Sequence, residues 1–438
     1  MTMARGFDPV VRSAVRSGLV GAGSPVTGFI DVDGILESVR DLTAAFDGVP
    51  VLHTFAVKAA ALVPVLRLLA DAGLGCEVAS PGEYAQALAA GVPPERIVYD
   101  SPAKTRAELA TALTAGAAVN ADNLDELERI DALLPAAPPA VGLRINPQVG
   151  SGAIAAMSTA GRASKFGVPL REQRERIIAA CLARPALTRL HVHVGSQGCP
   201  LELMADGVAA VYELAERINA AAGYQQITGV DIGGGLPVNF TGDEVTPTYA
   251  DYARLLRRRV PGLFDGRYTL ITEFGRSLLA KNGFVAALVE YTKQAGDRRI
   301  AITHAGAQVA TRTVFMPQSW PLRLGAFTAA GDRKSGPALR QDVAGPCCFA
   351  GDMVALDHPL PELTAGDVVA LYDTGAYYFS TPWSYNSLPR TAVYGFARRD
   401  GEVRFTTIRA QQSIAEIVAE SGGAQADALL ALCPVRQR

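Results

Sequence analysis

The stretch Leu52-His-Thr-Phe-Ala-Val57 is a short apolar run that stops on a lysine, Lys58, and an Ala/Leu-rich amphipathic segment follows it. A run of this kind next to a helical pattern reads as the strand of one βα unit. Seven more runs repeat the arrangement: 75–79, 97–99, 117–120, 141–146, 189–194, 229–233 and 270–274. Helical segments such as 81–90, 122–133 and 208–222 separate them. Parallel strands need long crossovers, so eight successive units predict an α/β chain built on a closed (β/α)8 barrel.

Beyond residue 285 the texture changes to Pro/Gly-punctuated strands, among them 354–356, 367–371 and 391–397, with little helix before 413–421. The expected division is a barrel over 27–284 and a mostly β domain made of 1–26 and 285–438. A chain of 438 residues with 49% hydrophobic content has room for both.

Lys+Arg 41 against Asp+Glu 43 leaves a formal charge of -2, without the basic block that tracks nucleic acid. No apolar run reaches membrane-spanning length, and Met1 to Gly18 has arginines but no apolar signal core, so a cytoplasmic enzyme is expected. The six cysteines (Cys76, Cys181, Cys199, Cys347, Cys348, Cys433) lack a CxxC pair and read as reduced thiols.

Barrel enzymes place their chemistry at the carboxyl ends of the strands. Six of the eight runs end on polar or flexible groups: Lys58, Glu77 to Ser80, Arg144, His193 to Ser196, Gly233 to Gly235, and Glu273 to Arg276. One lysine at a strand end is most often a solvated surface residue, but six ends in agreement point to a site. Asp231-Ile-Gly-Gly-Gly235 serves either as a tight turn or as a backbone N–H cradle for a phosphate. In His191-Val-His193 the period of two puts both rings on one side of a strand. Only His53, His304 and His358 remain, and no third ligand lies at helical or hairpin spacing, so no metal is expected. A histidine there either stacks on a flat cofactor or hydrogen-bonds in the core. Glu273 and Arg276 form either an ion pair or a matched set, the carboxylate for a pyridine nitrogen and the guanidinium for a phosphate.

In order, the motifs resemble those of the fold-type III pyridoxal-5′-phosphate (PLP) decarboxylases, which include the diaminopimelate, ornithine and arginine enzymes and share an alanine racemase-like barrel. Phe55-Ala-Val-Lys-Ala-Ala60 resembles the family's Tyr-Ala-Val-Lys-Ala-Asn. Glu77-Val-Ala-Ser-Pro-Gly-Glu83, Ser164-Lys-Phe-Gly167, His193-Val-Gly-Ser196, Asp231 to Gly235 and Glu273 to Arg276 follow at family-like spacing.

The resemblance implies that Lys58 holds PLP as a Schiff base and His193 stacks on its ring. Ser196, Gly234, Gly235 and Arg276 would hold the phosphate, Glu273 the ring nitrogen, and Glu77, Arg144, Gly275 and Tyr377 would complete the cofactor site. Gly345-Pro-Cys-Cys-Phe-Ala-Gly-Asp352 resembles Gly-Pro-x-Cys-acid-x-x-Asp, which assigns Cys348 to the neighbouring subunit's site in a homodimer. Tyr385-Asn-Ser387 is a further family marker. The implied reaction is decarboxylation through a Lys58 aldimine and a quinonoid, protonated by Cys348, Lys58 or water. The alternatives are a racemase, aldolase or eliminase on the same fold, or a silent regulatory homologue. A carboxylate at Glu273, where the racemases place a cation, favours decarboxylation.

Two departures touch the substrate. Phe349 replaces the acid after the cysteine, and a distal ammonium would lose a charge-assisted bond of about 1.5–3 kcal/mol. The expectation is a substrate other than plain lysine, ornithine or diaminopimelate, with an apolar, aromatic or conjugated side chain. In Thr303 to Arg323, Arg312 keeps the arginine for a distal carboxylate while Met316 stands for the family tyrosine. Arg312 and Arg323 are either solvated charges or readers of an anionic far end, as in a siderophore or other specialised precursor.

Overall fold

A computed structural model describes residues 6–432 of the chain. Strand β1 (Val26–Asp31) belongs to the second sheet, described below. The barrel strands are β2 (Val51–Ala56), β3 (Gly75–Val78), β4 (Ile97–Asp100), β5 (Ala118–Ala121), β6 (Val141–Asn146), β8 (Leu187–His191), β9 (Gly229–Asp231) and β10 (Thr269–Phe274). A two-residue strand, β7 (Val168–Pro169), pairs with the end of β6. All eight neighbour pairs of the ring are parallel, and β10 closes on β2 with Leu270 opposite Val51. Strands β3, β4, β5, β6 and β9 are buried at every position. Burial on both faces is why the runs read as continuously apolar.

Local capping starts the helices that follow. The Ser80 hydroxyl accepts from Glu83 N, and the Glu83 carboxylate accepts from Ala79 N. The conspicuous Ser-Pro-Gly-Glu83 stretch is therefore a helix start as well as a family marker. Thr105 with Glu108 and Thr248 with Asp251 form complete capping boxes.

The second sheet contains β11 (Gly283–Ala295), β12 (Arg298–Thr303), β13 (Leu324–Phe327), β14 (Ala338–Ala344), β15 (Met353–Pro361), β16 (Val368–Leu371), β17 (Ala392–Arg399) and β18 (Glu402–Arg409). Its order is β15-β14-β12-β11-β1-β17-β18, with β16 pairing both β11 and β13. The first half of β11 lies between β1 and β16, and its second half pairs with β12 after an irregularity between Val289 and Tyr291. One long strand thus turns the sheet through a bulge. Residue 27, the expected start of the barrel, lies inside β1, whose partners are β11 and β17. Phe7, Phe29, Phe284, Phe327 and Phe396 form the core beneath this sheet, with the helix Asp8–Arg16 packed on it.

Among the described residues no helix is long and apolar enough to cross a membrane. The five described cysteines are free, and Cys433 lies outside the described residues.

Candidate active site

Lys58 occupies a single 3-10 turn, Val57–Ala59, directly after β2. Its Nζ donates to Glu77 Oε2 at 2.6 Å, from the end of the adjacent strand. Burial lowers the lysine's pKa, but the Glu77 carboxylate, with Tyr377 and Glu273, outweighs it and leaves the value raised. The β domain ties the same turn from the other side. Tyr377 N donates to Ala59 O at 2.6 Å, and Ser380 Oγ donates to Lys58 O at 2.8 Å.

The glycine run after β9 leaves no room for side chains. A Cβ on Gly234 would stand 2.2 Å from Glu273 O, and one on Gly235, at φ +92°, would stand 1.9 Å from Gly195 O. Gly234 N donates to His193 Nδ1 at 3.2 Å. Burial, with Arg144 and Lys58 nearby, holds the His193 pKa well below its usual value, so the ring is neutral.

Arg276 follows Gly275 at the end of β10, with Nη2 3.5 Å from Ser196 Oγ. Its guanidinium carbon lies 4.4 Å from the ring centroids of both Trp320 and Tyr377. Arg312 approaches the same two rings, at 5.2 and 4.2 Å. Burial pulls the Arg276 pKa down to about 10 and lowers that of Arg312. Arg276 Nε and Arg312 Nη1 are buried without a hydrogen-bond partner, and neither guanidinium has a carboxylate partner among the described residues. Two cations over the same pair of rings, neither with a carboxylate, suit anionic groups.

On the floor of the site, at the carboxyl ends of the strands, Arg144 Nη1 pairs with Asp100 Oδ2 at 3.1 Å and its guanidinium covers the Phe166 ring at 4.4 Å. Gly167 N donates to Asp122 Oδ1, which fixes the Ser164 to Gly167 loop over Arg144. Glu273 Oε1 is buried and unpartnered, and His191 lies between Glu273 and Asp100. Metal-capable atoms of Asp100, His191 and Glu273 lie within 4.8 Å of one another, a grouping that no sequence spacing announced. The cation beside Asp100 is Arg144.

The β-domain residues sort differently. Cys348 is exposed, its N–H donating to Asn386 Oδ1 at 2.7 Å. Phe349 stacks on Phe315 (centroids 5.7 Å apart) and meets Trp383 and Tyr385 edge-on at 5.3 and 5.9 Å. Asp352 explains the glycines around this segment. Its carboxylate accepts from Ala307 N and Cys347 N, both at 2.6 Å, and a Cβ on Gly306 or Gly345 would press on it at 2.3 Å.

Arg323, expected at the substrate's far end, is committed elsewhere. It forms a two-pronged pair with Asp373 at 3.0 Å and also binds Asp243, bracing the loop that leads to Tyr377.

The sequence reading missed Asp100, Lys104, Trp320 and Ser380. Asp100 obeyed the strand-end rule but lay one residue beyond the run counted as 97–99. Lys104 is buried, donates to Asn120 O and pairs with Glu126 at 3.2 Å.

The residues present fit PLP. They offer a strand-end lysine, a neutral ring for stacking, an unpartnered carboxylate for a ring nitrogen, and glycines with the Arg276 guanidinium for a phosphate. Fold and site together define a barrel-plus-β enzyme that works through PLP. Residues 32–280 match the model of the pyridoxal-dependent decarboxylase family's pyridoxal binding domain. A diaminopimelate decarboxylase of Pseudomonas aeruginosa is 33% identical over 386 residues, covering 87% of this chain and 88% of its own. One from Pseudomonas fluorescens is 32% identical over 387 residues, with the same coverage. The structure of Helicobacter pylori diaminopimelate decarboxylase complexed with L-lysine superposes with a TM-score of 0.79 at 27% identity, covering 91% of this chain and 97% of that one. The chain belongs to the pyridoxal-dependent decarboxylase family, and is a PLP-dependent carboxy-lyase.

Proposed function

We propose that the chain removes the α-carboxylate of an amino acid whose far end is anionic, acting in the cytoplasm as a homodimer. The observation that carries the substrate class is Arg312, a mostly buried guanidinium beside the phosphate-side Arg276 with no acid of its own. Bound PLP supplies the electron sink for the carbanion left as CO2 departs.

Lys58 Nζ would hold the cofactor, and the same amine, when not engaged in that hold, would carry a proton. His193 would cover the ring, Glu273 would hold the ring nitrogen, and Arg276 with Ser196, Gly234 and Gly235 would neutralise and orient the phosphate. Glu77, Arg144, Gly275 and Tyr377 position these groups. Cys348, exposed on its own chain, delivers its thiol to the partner's site as proton donor.

The relatives' names favour diaminopimelate, which fits an arginine at the far end. Phe349, set among aromatic rings where the family places an acid, favours instead a substrate without a distal ammonium, such as an amino acid conjugated to a polycarboxylate. The experiment is CO2 release by PLP-loaded enzyme from diaminopimelate, lysine, ornithine and carboxylate-bearing amino-acid conjugates. Efficient turnover of lysine or ornithine overturns the anionic-end reading, and efficient turnover of diaminopimelate overturns the case against a distal ammonium.

A further inference from the structure

Trp320 lies beyond the helix Ala307–Phe315, and its backbone N–H turns back to donate to Met316 O at 3.0 Å. The residue is 2% exposed, and its indole packs edge to face with Phe240 at 6.1 Å, in the segment that follows the glycine turn. Trp320 and Tyr377 are the two rings over which Arg276 and Arg312 both lie.

Other arginines around the site are fixed by acids. Arg144 is held by Asp100 and Arg323 by Asp373, so their N–H groups are spent on carboxylates. Among the described residues Arg276 and Arg312 have no such partner, and Arg276 Nε and Arg312 Nη1 are buried without an acceptor. A buried guanidinium needs something to offset its lost hydration. An acid would supply it, but would also occupy the donors and cancel the charge that an incoming anion needs. An aromatic face attracts the cation through its quadrupole and takes none of the in-plane N–H groups. Two guanidiniums on one pair of rings also repel, and burial together with Arg312 lowers the pKa of Arg276. The ring faces oppose that repulsion.

We propose that Trp320 is a positioning residue: with Tyr377 it holds Arg276 and Arg312 by ring faces in place of acids, and so keeps one guanidinium open to the cofactor phosphate and the other to a carboxylate at the far end of the substrate. The phosphate half rests on the assignment of Arg276, and the far-end half on Arg312 as the reader of a substrate carboxylate. Both arginines meet on one indole, so a change at Trp320 reaches cofactor and substrate together.

Binding to cofactor-free protein tests the phosphate half. Trp320→Leu removes the ring face, and Trp320→Phe keeps one. PLP affinity, from equilibrium absorbance titration, is expected to fall about tenfold in Trp320→Leu and less than about threefold in Trp320→Phe. Affinity for pyridoxal, which lacks the phosphate, is expected to stay within about twofold in both. Equal losses for PLP and pyridoxal, equal losses in the two variants, or no loss in Trp320→Leu overturn it. If Arg276→Met leaves PLP affinity untouched, the failure lies in the assignment of Arg276.

Fluorinated tryptophans drain the ring face of negative charge and keep its shape, so they test the same point without a cavity. In a Trp383→Phe background Trp320 is the chain's only tryptophan. PLP binding is expected to weaken stepwise with each added fluorine, and a flat series overturns the proposal even where Trp320→Leu fails to fold.

In PLP-loaded protein, diaminopimelate and lysine differ by the far-end carboxylate alone, and dissociation constants from the rapid change in cofactor absorbance report what it contributes. The preference for diaminopimelate is expected to shrink about tenfold in Trp320→Leu and to return in Trp320→Phe. A preference that survives in Trp320→Leu overturns the far-end half. If the unaltered chain shows no preference, that half falls with the role of Arg312 itself, and the PLP and pyridoxal comparison decides the phosphate half separately.

Discussion

Lys58 Nζ lies 2.6 Å from Glu77 Oε2, and the two side chains end neighbouring strands of the barrel. The carboxylate holds the ammonium protonated, whereas attack on a carbonyl needs the free amine. Glu77→Gln is expected to speed cofactor loading of the cofactor-free enzyme roughly tenfold or more near neutral pH. Absorbance-monitored PLP uptake against pH measures this, and an unchanged pH profile removes Glu77 from the role. Lys58→Ala is expected to leave a folded protein in which borohydride no longer fixes the cofactor to the peptide containing residue 58.

Gly235→Ala places a methyl group against backbone that cannot withdraw, 1.9 Å from Gly195 O, at a left-handed φ. The strain is about 1–3 kcal/mol. PLP affinity is expected to fall at least about tenfold, with a lower Tm even in cofactor-free protein. Equilibrium PLP titration and thermal unfolding read the two effects.

Arg312 and Arg323 are expected to part company on mutation. Loss of a charge-assisted bond in Arg312→Met raises KM for a carboxylate-ended substrate about ten- to hundredfold with a smaller change in kcat. Arg323→Met leaves the buried Asp373 with Lys281 alone, so the expected effect is a lower Tm with KM nearly intact. Steady-state kinetics and unfolding curves for both variants decide. A KM effect confined to Arg323→Met reverses the assignment.

Phe349→Glu restores an acid beside Cys348. It is expected to raise kcat/KM for a substrate with a distal ammonium, relative to one without, by about tenfold or more. Equal effects on the two substrates would place residue 349 away from the substrate.

The floor carboxyls also set a pH dependence. Glu273 and Asp231 have folded values raised to about 8 and about 7, so between about 6.5 and 8 the folded state binds more protons than the unfolded chain and stability falls as pH rises. His53 and His193, whose values are lowered, act in the opposite direction only at more acidic pH. The Tm of cofactor-free protein is expected to drop across that window, and Asp231→Asn to flatten the slope. A flat or rising Tm contradicts it.

The barrel was legible because strands buried on both faces leave an apolar signature that helices interrupt. The lysine, the glycine turn and the Glu273-to-Arg276 loop were legible because each lies at a strand end. Asp100 was lost to a boundary drawn one residue early, and its partner His191 was read only as a neighbour of His193. Their meeting at Glu273 depends on ring closure, since residues 100, 191 and 273 approach only across the barrel. Arg323 misled for the converse reason: its acids, Asp243 and Asp373, lie 80 and 50 residues away in sequence.

The turn that carries Lys58 is fastened from two independent sources, the barrel strand before it and the Tyr377 and Ser380 contacts from the β domain. Any drift in that loop re-aims the lysine, so the β domain serves as an adjusting screw. Divergence in loops around the glycine-rich cradle would disturb the reaction itself. Divergence in the 373–380 loop would do the same, whereas divergence in the segment around Phe349, which packs on Phe315, Trp383 and Tyr385, gives a lineage a way to change what it accepts while the chemistry stays the same.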